Sequence, residues 1–211
     1  MRKWFPVVPT ILAIVFSIAV YRQLPAVIAT HWGANGQPNG WTNRSVGAFF
    51  MPLIMLMVWG IMRGVPTIDP RAANYAKFPE TYDFVINGVI TLMAVLHVAV
   101  LGVGLGWTIP MRAVALTILG LMFMGIGNVL PRARSNWFFG IRTPWTLSSD
   151  AVWGRTHRMA GYLMSAAGLT CMGAIALPAA WTAVVVLAAT FGAAIGSIAY
   201  SYAVWWAEPR A

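Results

Sequence analysis

Charged side chains are scarce in this chain. Of 211 residues, 9% are Asp, Glu, Lys or Arg, and only five are acidic. A soluble domain carries about 25% charged residues. This sequence therefore cannot clothe a water-facing globular surface, which excludes an ordinary cytosolic enzyme, a disordered regulator and a secreted disulfide scaffold. Cysteine is nearly absent as well. Cys171 stands alone within an apolar run, so no intramolecular disulfide can form, and the residue reads as a small buried hydrophobe rather than a reactive thiol. No acid, Lys or Arg sits at the centre of an apolar run. Proton relays and ion-coupled pumps usually place such groups there, which weighs against a pump. What abounds is apolar: 59% of the residues are hydrophobic, as expected of an integral membrane protein.

A hydrocarbon core of ~30 Å needs about 20 apolar residues per helix. Six stretches qualify, at residues 5–22, 46–62, 84–107, 111–130, 158–177 and 181–206. No small-x-small cleavage site follows the first run, which ends in Tyr21-Arg22-Gln23, so it reads as an uncleaved span. Placing the N-terminus inside puts Arg2, Lys3, Arg63, Arg71, Lys77, Arg132, Arg134, Arg142, Arg155, Arg158 and Arg210 on the cytoplasmic side. Only Arg22, Arg44 and Arg112 remain outside. That asymmetry predicts cytoplasmic N- and C-termini. The expected fold is an all-α integral membrane protein with six transmembrane helices. Region 1–62 holds two spans and an external loop at 23–45. Region 63–83 is a polar surface connector, and region 84–211 holds four spans and a cytoplasmic loop at 131–158. The net charge of +9 is spread between apolar runs rather than along one face, so it points to anionic headgroups and not to direct nucleic-acid binding.

Two loops carry information. In the external loop, Gly, Pro and Asn set tight turns around His31, Trp32, Asn35, Gly36, Trp41 and Arg44, with Asn39-Gly40 a typical turn pair. An aromatic belt explains either Trp alone. A His and an Arg set among so much fixed backbone point further, to a ligand-binding loop. The cytoplasmic loop is denser. Trp137, Phe138, Phe139, Trp145 and Trp153 make it amphipathic and predict that it lies against the membrane surface. A short helix is expected from about Asp150, with Trp153 and His157 four apart on one face. Lipid phosphate accounts for Arg132 and Arg134, but not for the rigid turn Thr143-Pro144-Trp145-Thr146.

The run from Gly127-Asn128 through Pro131, Asn136 and Gly140-Ile141-Arg142-Thr143-Pro144-Trp145-Thr146-Leu147, then Trp153 and Thr156-His157-Arg158 with Gly161, resembles the signature of the SdpI family. These are bacterial membrane proteins that give immunity to the sporulation-delaying killing peptide. His31-Trp32 through Gly36-Gln37-Pro38-Asn39-Gly40-Trp41 resembles the external motif of the associated DUF1648 segment. The outer motif commonly has Asp where this chain has Asn39, and often a proline where it has Thr30, which argues against an anionic or metal-assisted role there. The resemblance implies a cytoplasmic (inner) membrane protein that protects its cell from a membrane-active toxic peptide. It also implies signalling through a cytoplasmic ArsR-type repressor held at the membrane. On that reading His31, Trp32, Asn35, Gly36, Trp41 and Arg44 face the peptide. Asn128, Asn136, Arg142, Thr143, Pro144, Trp145, Thr146, Trp153, Thr156, His157 and Arg158 form the partner-facing motif, with Arg142 expected on a carboxylate or helix-end carbonyls.

Other residues have duller explanations. His97, mid-way along the third apolar run, is expected to give one hydrogen bond to a neighbouring helix. Gly192 with Gly196, and the sets Gly102/Gly104/Gly106 and Gly120/Gly125/Gly127, are expected to permit close helix packing within the chain. Ser148, Asp150 and His157 are not oriented as a triad, and the three His and five acids lack His-x-x-x-His spacing. No enzyme, cofactor or metal is expected. Competing readings are a transporter or binder of a small amphiphile, such as a lipid-linked cell-wall intermediate, and a structural membrane subunit.

Overall fold

The computed structural model describes residues 6–208. Arg2, Lys3, Phe5 and Arg210, which enter the expectations for the first span and both termini, lie outside the described residues. The helices are α1 (Val7–Val20), α2 (Arg44–Ile68), α3 (Pro79–Gly104), α4 (Met111–Val129), α5 (Pro144–Ser148), α6 (Asp150–Gly173) and α7 (Ala179–Trp206). Five of them, all but α1 and α5, are long and apolar enough to cross a bilayer. The 14 residues of α1 extend about 21 Å, short of a ~30 Å core. The six expected spans are thus five long helices and one shorter one.

The external loop adds a two-stranded hairpin to the otherwise helical fold. Strands β1 (Val27–Trp32) and β2 (Pro38–Asn43) pair antiparallel within it. The reversal lies at Gly33–Gln37, where Gly33 N–H donates to Gln37 O (3.0 Å) and Gly36 takes a positive φ of 78°. Asn39-Gly40, read from sequence as the turn, is inside β2 instead. Gly40 faces His31, and a Cβ on Gly40 would lie 2.9 Å from that of His31. The cross-strand neighbour, not the turn, requires this glycine. Buried Ile28 seats the hairpin on Val20, Leu24, Ala48 and Leu101.

Helix α2 contains Pro52 and Pro66. Each proline lacks an N–H, so the carbonyl four residues earlier is left open, and in hydrocarbon it must be satisfied. Both are. Ser17 Oγ reaches Ala48 O (2.6 Å) from α1, and Tyr82 Oη donates to Met62 O (2.6 Å) from α3. His97 Nε2 completes the first arrangement at 2.8 Å from Ser17 Oγ. Ser17 Oγ also lies 2.9 Å from Ala13 O, and with its one proton shared between these two carbonyls the imidazole donates to Ser17, so His97 is a helix-to-helix hydrogen bonder.

Helices α4 and α6 are brought together by glycines seven apart on each. A Cβ on Gly120 would meet Gly168 O at 2.7 Å, and one on Gly127 would meet Gly161 O at 2.7 Å. Gly192 behaves otherwise: nothing lies within 4 Å of a Cβ there, so it takes no part in the packing expected of it. The α6–α7 turn is clamped from α4. Arg112 donates to Leu177 O, to Ala174 O (3.0 Å) and to Thr182 Oγ1 (2.7 Å). Gly36 of the hairpin rests against Arg112 Cβ, so hairpin, clamp and α6–α7 turn share one end of the bundle. The other end holds the segments 69–78 and 130–149.

Candidate functional site

At the hairpin end, His31 is exposed and its Nδ1 lies 2.5 Å from Asn39 Oδ1. An amide oxygen only accepts, so the imidazole donates and Asn39 holds the ring where a carboxylate would carry charge. Asn35 Oδ1 accepts from Gln37 N–H (3.0 Å) and shapes the turn around Gly36. Trp41 points outward, 59% exposed, whereas Trp32 is half-buried against Ala99, Val100 and Met111. Arg44 is turned inward: it donates to Leu24 O (3.2 Å) and lies over the Tyr21 ring at 4.7 Å. Of the residues expected to face a ligand, His31, Asn35 and Trp41 are exposed, whereas Arg44 and Trp32 hold the hairpin down. Beneath the hairpin lies a mostly apolar cavity of about 300 Å³ that runs from Thr30 and Thr42 past Phe50 to His97.

At the opposite end the motif loop is built around two buried hubs. Asn136, fully buried, is the first. Its amide donates to Arg134 O (2.9 Å) and Phe139 O (3.1 Å), and its Oδ1 accepts from Phe138 N–H (2.9 Å) and Phe139 N–H (2.6 Å). His157 is the second. Ile141 N–H can only donate, so His157 Nε2 accepts it (2.9 Å), and the ring proton sits on Nδ1, facing Trp153 O at 2.8 Å. Trp153 stacks on this imidazole at 3.9 Å between centroids and donates from its indole to Ala133 O (2.9 Å). The shared helical face explains the stack. It also corrects one expectation: Trp153 is not a membrane-facing aromatic but the buried centre of the loop. Trp137 and Phe138 are the exposed ones.

Between the hubs, Thr143 caps α5 in a reciprocal box. Its Oγ1 accepts from Thr146 N–H (3.3 Å), and Thr146 Oγ1 accepts from Thr143 N–H (2.9 Å). Pro144 fills the first helical position, where a missing N–H costs nothing. Buried Thr146 donates onward to Ile141 O (2.8 Å). Trp145 reaches α7, donating to Ser201 Oγ (2.6 Å) and meeting the Tyr202 ring edge-on at 5.3 Å. Arg142 is exposed and donates to the loop carbonyl of Trp137 (2.7 Å), not to a carboxylate or helix end. Thr156 is buried with its hydroxyl unpartnered. Asn128 and Arg158 are exposed and join neither hub.

Sequence reasoning missed half of this site. Segment 63–83, read as a surface connector, remains helical to Ile68 and then turns under the loop. Buried Asp69 accepts from Arg71 N–H (2.7 Å), Tyr75 Oη (2.8 Å) and Trp137 N–H (2.9 Å). Arg71 donates to Ser135 Oγ and to Leu147 O (2.6 Å), and Asn74 donates to Ser135 O (2.7 Å). Burial, together with the Asp69 carboxylate it serves, raises the Tyr75 hydroxyl well above its ordinary pKa, so Tyr75 remains a donor. The available signal was the rarity of acids: one of only five stands next to Pro70 at a helix end.

Comparison with known proteins agrees with the motifs. Residues 132–201 match the SdpI/YfhL protein family, and residues 9–56 match DUF1648, a domain of unknown function. Helices and matches together define the class, a multi-pass protein of the bacterial inner membrane in which a segment matching DUF1648 precedes one matching the SdpI/YfhL family. Among individual proteins, the chain is similar to "Immunity protein SdpI" of Bacillus subtilis (strain 168), at 26% identity over 157 residues, 74% of this chain and 73% of that protein. No solved structure matches. Asp69, Arg71 and Tyr75 lie outside both matched segments.

Proposed function

We propose that this protein is a membrane immunity protein that protects its cell from a membrane-active toxic peptide, with the hairpin outside and the motif loop in the cytoplasm. The carrying observation is the similarity to an immunity protein over 74% of this chain. The hairpin supports the same reading. It offers an imidazole held by Asn39 and an outward indole at Trp41, a pairing suited to a peptide with one polar and one apolar side. At the other end, exposed Arg142 on the motif loop and exposed Arg158 on α6 are suited to a cytoplasmic partner, and we assign them to docking an ArsR-type repressor. A second reading, a binder or transporter of a small amphiphile, is favoured by the apolar cavity that runs from the hairpin to His97.

Sensitive bacteria expressing the wild type, His31→Ala or Arg142→Ala would be challenged with a panel of secreted membrane-active peptides, with membrane levels measured by blot. Protection against one peptide, lost in His31→Ala, supports immunity with recognition at the hairpin. Resistance to no peptide by a well-inserted protein rejects it and favours the amphiphile reading. Arg142→Ala should keep its abundance while losing signalling; a fall in abundance instead would make Arg142 a folding residue.

A further inference from the structure

A second cavity, of about 260 Å³, opens beside the motif loop and differs from the first in being polar. It is lined by Asn74, Lys77, Arg134, Ser135, Asp150 and Trp153, among others. Two cations, Lys77 and Arg134, line it, and among the described residues neither is within ion-pair distance of a carboxylate. Lys77 Nζ is hydrogen-bonded to Asn74 Oδ1 (2.8 Å), and among the described residues the ion pair is Arg63 with Asp83, elsewhere. Ser135 is buried and its Oγ accepts from Arg71, so its own proton is free to donate into the cavity. The first turn of α6 adds the positive end of a 24-residue helix. Asp150 opposes these groups from the same wall.

We propose that this cavity binds a phosphate group. Two cations, a hydroxyl donor and a helix N-terminus converge on one space, and charge-assisted hydrogen bonds to phosphate are the strongest contacts such groups make. The phosphate is that of a membrane lipid. The cavity lies at the ends of α4 and α6, and Trp137 and Phe138, which follow its Ser135 in the chain, are exposed, as are aromatic side chains that meet headgroups. The site does not depend on the immunity reading.

Delipidated protein in detergent would be titrated with dioleoylphosphatidylglycerol, with dioleoylglycerol, which lacks the phosphate, and with inorganic phosphate, each followed by native mass spectrometry. The phosphatidylglycerol adduct should form and the dioleoylglycerol adduct should not. K77Q/R134Q should weaken the adduct by about tenfold or more, the scale of losing charged hydrogen bonds, and R132Q, outside the lining, should not. D150N should tighten it, a gain that misfolding cannot mimic. Displacement of the lipid by an equal concentration of inorganic phosphate would keep the site and make a soluble anion its occupant. Equal binding of both lipids, or wild-type binding by K77Q/R134Q, would overturn the proposal.

Discussion

Gly140 shows how narrowly the motif loop is specified. Its φ is +107°, a conformation L side chains rarely adopt, and a Cβ there would run into the His157 imidazole. Gly140→Ala should therefore cost about 1–3 kcal/mol from backbone strain alone and displace the ring that accepts Ile141 N–H. Asn136→Ala, which strands two backbone N–H groups and two carbonyls, should cost about 1–3 kcal/mol or more. Both would be read as lowered unfolding midpoints of the purified protein, and an unchanged midpoint would remove the hub role. At this scale the sequence was partly legible. The stack of Trp153 on His157 follows from helical spacing, and the rigid turn at Thr143 from its capping residues. Asp69 was not legible, because its bond to Trp137 N–H joins positions 68 residues apart, and no local pattern carries such a contact.

Among the elements, α2 is the most dependent on its neighbours. Ser17→Ala removes the donor that serves Ala48 O, at a cost of about 1 kcal/mol for a hydrogen bond inside a membrane bundle. In a Pro52→Ala background the helix regains its own N–H at position 52, so the same Ser17→Ala change should cost less, by the share that serves Ala48 O, and keep only the cost of the lost His97 contact. Thermal unfolding of the four proteins in one detergent measures this coupling, and additive losses would refute it. Helix positions were well marked in the sequence, since apolar runs of about 20 residues leave little choice. The hairpin was not. Its strands are six residues each, its glycine and asparagine read as turns, and pairing across Gly33–Gln37 decides its structure instead of propensity.

For the whole molecule, the distribution of eleven basic residues against three predicts the hairpin outside and the motif loop inside. Cys171 is fully buried, so the native thiol leaves single introduced cysteines readable. Trp41→Cys should react with a membrane-impermeant maleimide in intact cells, and Phe138→Cys only after lysis. The opposite pattern would invert the topology and move the proposed peptide-facing and partner-facing surfaces with it.

Strand β2 ends at Asn43 and α2 begins at Arg44, so the hairpin is welded to that helix with no slack between them. About 37 Å further along, the same helix ends at Ile68, and the very next residue, Asp69, grips the motif loop at Trp137. α2 is thus a push-rod with a handle on one side of the bilayer and a latch on the other. Its two proline joints are each braced by a neighbouring helix, so a tilt given to the hairpin has no loop in which to dissipate before it reaches the latch.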